Sequence, residues 1–149
     1  MNESKPVRIA SVKSVRDYTL KVAFLNGRTF TLDLREFVHR LKGLRPLRDP
    51  GVFALADVGE GGFSLVWPGE LDVGADRLYE IALEQNGRAD AVAFIRWRWR
   101  NRLSLSEAAE ALGVSRRMVA YYEGGEREVP RTVLLACKGW EADKERATA

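Results

Sequence analysis

The stretch SLSEAAEALGVSRRMVAYYEGG, residues 104–125, predicts two short helices joined by a tight turn. Ser104 and Glu107 have the spacing of a capping box, in which the serine oxygen accepts the N3 amide and the glutamate accepts the N-cap amide. Gly113 is expected to end the first helix, because glycine enters the left-handed conformation without steric cost. A glycine-centred turn of about four residues makes two helices cross steeply, which leaves the second helix free to enter a DNA major groove.

The second helix is expected over Arg116–Glu123, with Ser115 as its N-cap. At about 100° per residue, Val119 and Tyr122 turn toward the core together. The outward positions are expected to be Arg116 at the exposed N-terminal end, Arg117, Ala120 and Tyr121. Two arginines at the tip of an exposed helix can pair bidentately with guanine O6 and N7, or with phosphate.

Two further helices complete a predicted all-α module. One is expected over residues 91–102, with Phe94 and Trp97 on its apolar stripe. The other is expected to open at Pro130, because a proline at the first helical position lacks only an N–H that has no helical partner there. Its buried side chains are expected to be Leu134, Leu135 and Trp140.

The segment from Ser104 to Trp140 resembles the Cro/C1-type (XRE-family) helix-turn-helix of phage and bacterial repressors. The resemblance rests on the run from Ala109 to Gly113-Val114-Ser115, on Val119, Glu123 and Gly125, and on the proline that opens the next helix. It implies a lambda-repressor-like fold that binds double-stranded DNA. Two positions depart from the pattern: Leu105 replaces a common phosphate-binding glutamine, and Gly124 replaces a common asparagine.

The resemblance also implies roles for individual residues. The positions that face base edges are matched by Arg116, Arg117 and Tyr121. The positions that hold phosphates are matched by Ser106, Arg127 and Arg131. Arg98 and Glu123 match positions that often form a partly buried ion pair, so their expected role is structural.

The residues before this module follow a strand-like pattern. Leu20, Val22 and Phe24 alternate with polar residues, and Asn26-Gly27 predicts a type I′ turn into a returning strand. Short helices are expected over residues 33–41 and 75–83, a helical turn over residues 52–56, and two more strands ending near Trp67. A small antiparallel sheet with short helices makes this an α+β domain. Residues 9–80 resemble the domain-of-unknown-function 2442 family, which implies a fold and no particular chemistry.

Charge is distributed unevenly along the chain. Residues 1–87 carry 12 basic and 12 acidic side chains, whereas residues 88–149 carry 12 and 9, so the second part supplies the whole net charge of +3. A basic surplus in this part of the chain favours a polyanionic partner. The expected organisation is an α+β domain over residues 1–84, a linker over residues 85–90 and a DNA-binding domain over residues 91–149.

Several classes of function are disfavoured by composition. His39 is the sole histidine and Cys137 the sole cysteine, so a multi-histidine metal site and an internal disulfide lack their parts. No constellation of residues in the sequence supports a catalytic triad. We therefore expect no enzyme activity, no metal and no cofactor. No segment has the length or apolarity of a signal peptide or membrane span, which favours a cytoplasmic protein without a membrane partner.

The sequence thus predicts a sequence-specific DNA-binding transcriptional regulator of repressor type, acting as a homodimer on a palindromic site. The alternative is a protein-interaction module, such as the antitoxin of a toxin–antitoxin pair. In that case the α+β domain would bind a small protein partner, and the helix-turn-helix would serve autoregulation.

Overall fold

The computed structural model describes residues 7–148 and divides the chain into two compact units, one ending at Gln85 and the other beginning at Asn86. The last helix of the first unit ends at Gln85, and the first helix of the second unit begins at Ala89. The two helices therefore leave three residues, 86–88, outside regular structure within the predicted linker. The domain limits themselves stay a prediction.

The first unit begins with a three-stranded antiparallel sheet in the order β1-β2-β3. Its strands are β1 (Ile9–Arg16), β2 (Thr19–Phe24) and β3 (Thr29–Asp33). Leu20, Val22 and Leu32 are completely buried, because alternate residues of a strand point to the same face. The predicted hairpin between β2 and β3 is confirmed, with Leu20 opposite Leu32 and Val22 opposite Phe30.

The turn of this hairpin differs from the predicted type. A type I′ turn needs positive φ at both central residues, but of the Asn26-Gly27 pair the glycine alone has one, at 88°. The Gly27 amide donates to the Phe24 carbonyl at 3.0 Å, so the turn starts one residue earlier than expected. The Asn26 side chain accepts from the Arg28 amide and donates to the Tyr79 hydroxyl at 3.1 Å. This contact with Tyr79, 53 residues away in sequence, ties the turn to the rest of the unit.

The unit contains a second three-stranded antiparallel sheet, where the sequence predicts one sheet in all. Its strands are β4 (Asp57–Val58), β5 (Ser64–Trp67) and β6 (Leu71–Gly74). The buried indole of Trp67 donates to the Phe53 carbonyl at 2.9 Å. Period-2 patterning specifies which face of a strand is buried, but it does not specify which strands pair.

The described part of the first unit also holds three α-helices, α1 (Arg35–Arg40), α2 (Pro50–Phe53) and α3 (Ala75–Gln85), and two 3-10 helices, Lys42–Arg48 and Glu60–Gly62. Helix α2 starts two residues before the predicted turn, because the Asp49 carboxylate caps it by accepting the Gly51 amide at 2.8 Å. Helix α3 buries Leu78, Tyr79 and Leu83. The Tyr79 ring packs edge-on against Phe24 and Phe30 of the first sheet, with centroid distances of 5.0 and 5.8 Å.

The second unit is helical, with α4 (Ala89–Arg100), α5 (Leu105–Leu112), α6 (Arg116–Glu123) and α7 (Arg131–Thr148). Its core residues come from all four helices and the loop before α7: Phe94, Trp97, Ala108, Ala109, Val119, Tyr122, Val129 and Cys137. Burial raises the pKa of the Cys137 thiol to about 12, so this side chain is an inert apolar residue at neutral pH.

Three details predicted for helices α4 and α7 of the second unit were wrong. Helix α4 begins and ends two residues earlier than expected. Pro130 precedes α7 and its carbonyl accepts the Leu134 amide, so the proline lies at the N-cap and not at the first helical position. Leu135 is 50% exposed, because the inward face of α7 follows Leu134, Cys137 and Trp140 at helical spacing.

Within residues 7–148, no helix combines the length and the apolarity that crossing a bilayer would need.

Candidate nucleic-acid interface

Helix α5 is held at its N-terminus by the predicted capping box. The Ser104 hydroxyl accepts the Glu107 amide at 3.0 Å, and the Glu107 carboxylate accepts the Ser104 amide at 2.9 Å. These two bonds satisfy donors that have no partner inside the helix. They fix where α5 starts, which places the exposed Ser106 in its first turn.

The connection from α5 to α6 turns at Gly113, which has a φ of 70° and a ψ of 29°. The Val114 amide then donates to the Ala109 carbonyl at 3.0 Å, which closes the end of α5. The half-buried Val114 side chain packs against the core. One glycine and one apolar residue thus set the path of the chain into α6.

Helix α6 has one buried face and one exposed face. Val119 and Tyr122 are buried, while Arg116 and Arg117 are exposed at the N-terminal end of the helix. The Ser115 hydroxyl caps this end by accepting the Met118 amide at 3.0 Å. The cap and the helical period therefore present two guanidinium groups on the outer face.

Tyr121 lies between two arginines. The guanidinium carbon of Arg117 is 5.8 Å from the centroid of the tyrosine ring, and that of Arg127 is 5.4 Å from it. Both distances suit a cation–π contact. Arg117 comes from α6 and Arg127 from the following loop, so the half-buried ring joins a residue expected to contact a base to one expected to contact a phosphate.

The loop over residues 124–130 is fastened to α6 and to the segment that opens α4. The amides of Glu126 and Arg127 donate to the Tyr121 carbonyl at 3.0 and 3.3 Å. Arg88 donates to the Gly125 carbonyl and, at 2.7 Å, to the Arg127 carbonyl.

Asp90 completes this arrangement from the first turn of α4. Its carboxylate accepts the Val129 amide at 2.7 Å and pairs with the Arg88 guanidinium at 3.2 Å. Burial opposes ionisation of Asp90, but the hydrogen bonds from Arg88 and from the Val129 and Ala91 amides outweigh it, so its pKa is lowered. The hydrogen bond to Asp90 raises the pKa of Arg88 against desolvation. Both groups are therefore charged at neutral pH.

Arg98 and Glu123, which the sequence predicts as a structural pair, meet between α4 and α6. Nη2 of Arg98 donates to Oε1 of Glu123 at 2.7 Å, and Nε donates to Oε2. Burial raises the pKa of the Glu123 carboxyl, and the Arg98 guanidinium opposes that rise. The contact joins the end of α6 to the core of the unit.

The two arginines that are predicted to contact phosphate, Arg127 and Arg131, lie outside α6 and form the candidate interface together with its exposed residues. Arg131 is exposed at the first residue of α7, and Arg127 is exposed between Glu126 and Glu128. The candidate interface therefore carries both acidic and basic side chains around Arg127.

On α7, Glu141 accepts two hydrogen bonds of 2.9 Å from Arg100, which lower the pKa of Glu141.

Sequence reasoning missed Arg88 and Asp90, because it assigned both to a polar linker. Their partners lie 37–39 residues further along the chain, and no local periodicity relates the two segments. The one local indication of this pair in the sequence was an arginine two residues before an aspartate at the start of a predicted helix.

Comparison with known proteins bears on both units. The family model described as a protein of unknown function, DUF2442, matches residues 9–84. This match confirms the resemblance predicted for the first part of the chain. A Nitrosomonas europaea protein, named as a candidate DNA-binding protein, is 38% identical to this chain in sequence. Its crystal structure matches the fold of this chain with a TM-score of 0.66. The alignment covers 95% of this chain and 91% of that chain. No protein of curated function matches the chain.

Proposed function

The chain belongs to the DUF2442 family of proteins of unknown function, and we propose that its helical unit is a Cro/C1-type helix-turn-helix that binds double-stranded DNA. Helices α5 and α6 form the motif in this proposal, with α6 as the recognition helix in the major groove. The protein acts as a non-enzymatic transcriptional regulator of repressor type.

The observation that carries the proposal is the outer face of α6. Two exposed arginines lie at its N-terminal end, and the Tyr121 ring bridges Arg117 to Arg127 on the loop that follows. The N-terminal residues of a recognition helix are those that reach base edges, and arginine is the commonest reader of guanine. Arg116, Arg117 and Tyr121 thus read bases, while Ser106, Arg127 and Arg131 hold phosphates.

Two further findings support DNA as the partner. The Nitrosomonas europaea relative aligns along nearly the whole chain, and its name describes it as a candidate DNA-binding protein. The loop that carries Arg127 also suits phosphate contact. Contacts to DNA phosphates fix the register of a protein on the duplex, and a loop held in one conformation keeps Arg127 in one position for such a contact. The flanking Glu126 and Glu128 weaken unspecific attraction to the duplex, so base contacts carry much of the preference for a site.

A homodimer is part of the proposal. Two copies related by a twofold axis would present their α6 helices one helical turn of DNA apart, about 34 Å, to a palindromic site. Each copy alone offers a short recognition helix and few phosphate contacts, so dimerisation raises affinity without new contact types.

The test is selection of bound fragments from random duplex DNA by the full chain at two salt concentrations. An enriched palindrome and a salt-dependent affinity are expected. Arg117→Ala should weaken binding by about 1–3 kcal/mol and relax the preference at one base pair.

The matched control is Arg146→Ala. Arg146 is 77% exposed near the end of α7 and lies outside the proposed interface, so removing its charge should leave the selected site unchanged. Equal effects of the two substitutions would show that α6 does not read bases. Absence of DNA binding by the unmodified chain would overturn the proposal and favour the protein-interaction alternative.

A further inference from the structure

Arg88 fastens the loop over residues 124–130 from outside the motif. Its guanidinium donates to two carbonyl groups of that loop, those of Gly125 and Arg127, and also pairs with Asp90. Asp90 accepts the amide of Val129, two residues beyond Arg127. The loop backbone is therefore held on both sides of Arg127.

The opposite side of the loop is held by α6. The Tyr121 carbonyl accepts the amides of Glu126 and Arg127, and the Tyr121 ring lies against the Arg127 guanidinium. The backbone of Arg127 is thus bonded through both its amide and its carbonyl, while its side chain stays exposed. Because the loop backbone is already ordered, contact of the Arg127 side chain with a ligand adds little cost of backbone ordering.

We infer that Arg88 and Asp90 are positioning residues for DNA binding: they hold the 124–130 loop so that Arg127 meets a backbone phosphate. The inference rests on the proposed function and extends it to residues outside the helix-turn-helix. Neither residue touches DNA; each acts through the placement of Arg127.

This arrangement requires an arginine at position 88. One planar guanidinium can bond two carbonyls and a carboxylate at once, because it presents five donors in a fixed geometry. In an Arg88→Lys variant, the ammonium group would keep the charge but could not reproduce that geometry. The substitution therefore separates charge from positioning.

The experiment measures DNA binding by the full chain at several salt concentrations, for Arg88→Ala, Arg127→Ala and the double variant. Loss of one phosphate contact should lower affinity about tenfold at 0.1 M salt and reduce the salt slope by about 1. Both single variants should show this change, and the double variant should bind like Arg127→Ala alone. Arg88→Lys should remain close to Arg88→Ala.

Arg100→Ala is the matched control. It also removes an arginine that pairs with a carboxylate in this unit, but its partner Glu141 lies on α7. It should leave the salt slope unchanged. The inference is wrong if Arg88→Ala binds DNA with the salt slope of the unmodified chain. It is also wrong if the affinity losses of Arg88→Ala and Arg127→Ala are additive in the double variant.

Amide exchange without DNA keeps the inference testable apart from the proposed function. Asp90→Asn and Arg88→Ala should speed exchange at Val129 while the amides of α5 stay protected. Unchanged exchange at Val129 would overturn the positioning role even where DNA binding changes. If the unmodified chain binds no DNA, the proposed function fails and the DNA role of the loop fails with it, whatever the exchange result.

Discussion

Arg98 in the middle of the second unit holds Glu123, the last residue of α6, by a two-point ion pair, and its Nη1 also donates to the Leu103 carbonyl at 3.0 Å. The arginine is 3% exposed and the side chain of Glu123 is 14% exposed, so the pair is largely shielded from water. One side chain thereby joins α4, the entry to α5 and the end of α6. The contact therefore links the end of the proposed recognition helix to α4.

Removing one member of this pair should be costly. Arg98→Met should lower the free energy of unfolding by about 3–5 kcal/mol, because it leaves the Glu123 carboxylate buried without its counter-charge. The double variant Arg98→Met/Glu123→Leu should recover a large part of that loss. Urea denaturation of the unmodified chain, of Arg98→Met, of Glu123→Leu and of the double variant measures the coupling. Additive losses would show that the two side chains contribute independently.

Tyr121 should act through its ring. Tyr121→Ala removes the proposed base contact and the ring that orders Arg117 and Arg127 before DNA binds, so affinity for the selected DNA site should fall roughly 5–30-fold, or about 1–2 kcal/mol. Tyr121→Phe keeps the ring and should stay within about threefold of the unmodified protein. Fluorescence anisotropy on a labelled duplex measures both values. A Phe variant as weak as the Ala variant would show that the hydroxyl is the group that matters.

Asp90 should contribute stability that depends on pH. Its pKa is lowered in the folded chain, so its contribution is complete above the unfolded-state pKa of about 3.9 and is lost as the pH falls through the lower folded value. Asp90→Asn should therefore cost about 2 kcal/mol at pH 7, and this difference should shrink below about pH 4. Denaturation curves from pH 7 to pH 3 measure it.

The control for that series is Asp143→Asn. Asp143 is 74% exposed and pairs with an exposed arginine, so its removal should cost little at any pH in the series. A difference for Asp90→Asn that stays constant down to pH 3 would contradict the role assigned to its charged form.

Two glycines should differ sharply in their tolerance of alanine. Gly113 has a φ of 70° with open space around its Cα, so Gly113→Ala should cost about 1–2 kcal/mol for backbone conformation alone. A Cβ at Gly62 would lie 2.4 Å from the Ile9 carbonyl oxygen, so Gly62→Ala should cost about 3 kcal/mol or more. Thermal and urea denaturation rank the two variants. Equal losses would show that the close approach at Gly62 relaxes freely.

Features of the second unit that depend on near neighbours follow from the amino-acid order. The capping box at Ser104 and the cap at Ser115 join residues three positions apart, and the hydrogen bonds that close the turn at Gly113 reach back at most five positions. The limits of α6 agree with the predicted 116–123. The inward turn of Val119 and Tyr122 follows from the helical period in the same way. Recognition of the first unit as a member of its family likewise needed only the linear pattern.

Contacts between residues far apart in the chain could not be predicted from the amino-acid order. The Asn26 turn is tied to Tyr79, the first unit pairs its strands into two sheets, and the Arg88–Asp90 pair holds a loop 37–39 residues away. The stacking of Arg127 on Tyr121 is likewise created by the path of that loop. Caps and periodicity act over one helical turn, whereas these contacts exist because packing brings remote backbone groups within hydrogen-bonding distance, and a buried amide or carbonyl then takes the partner that lies nearest.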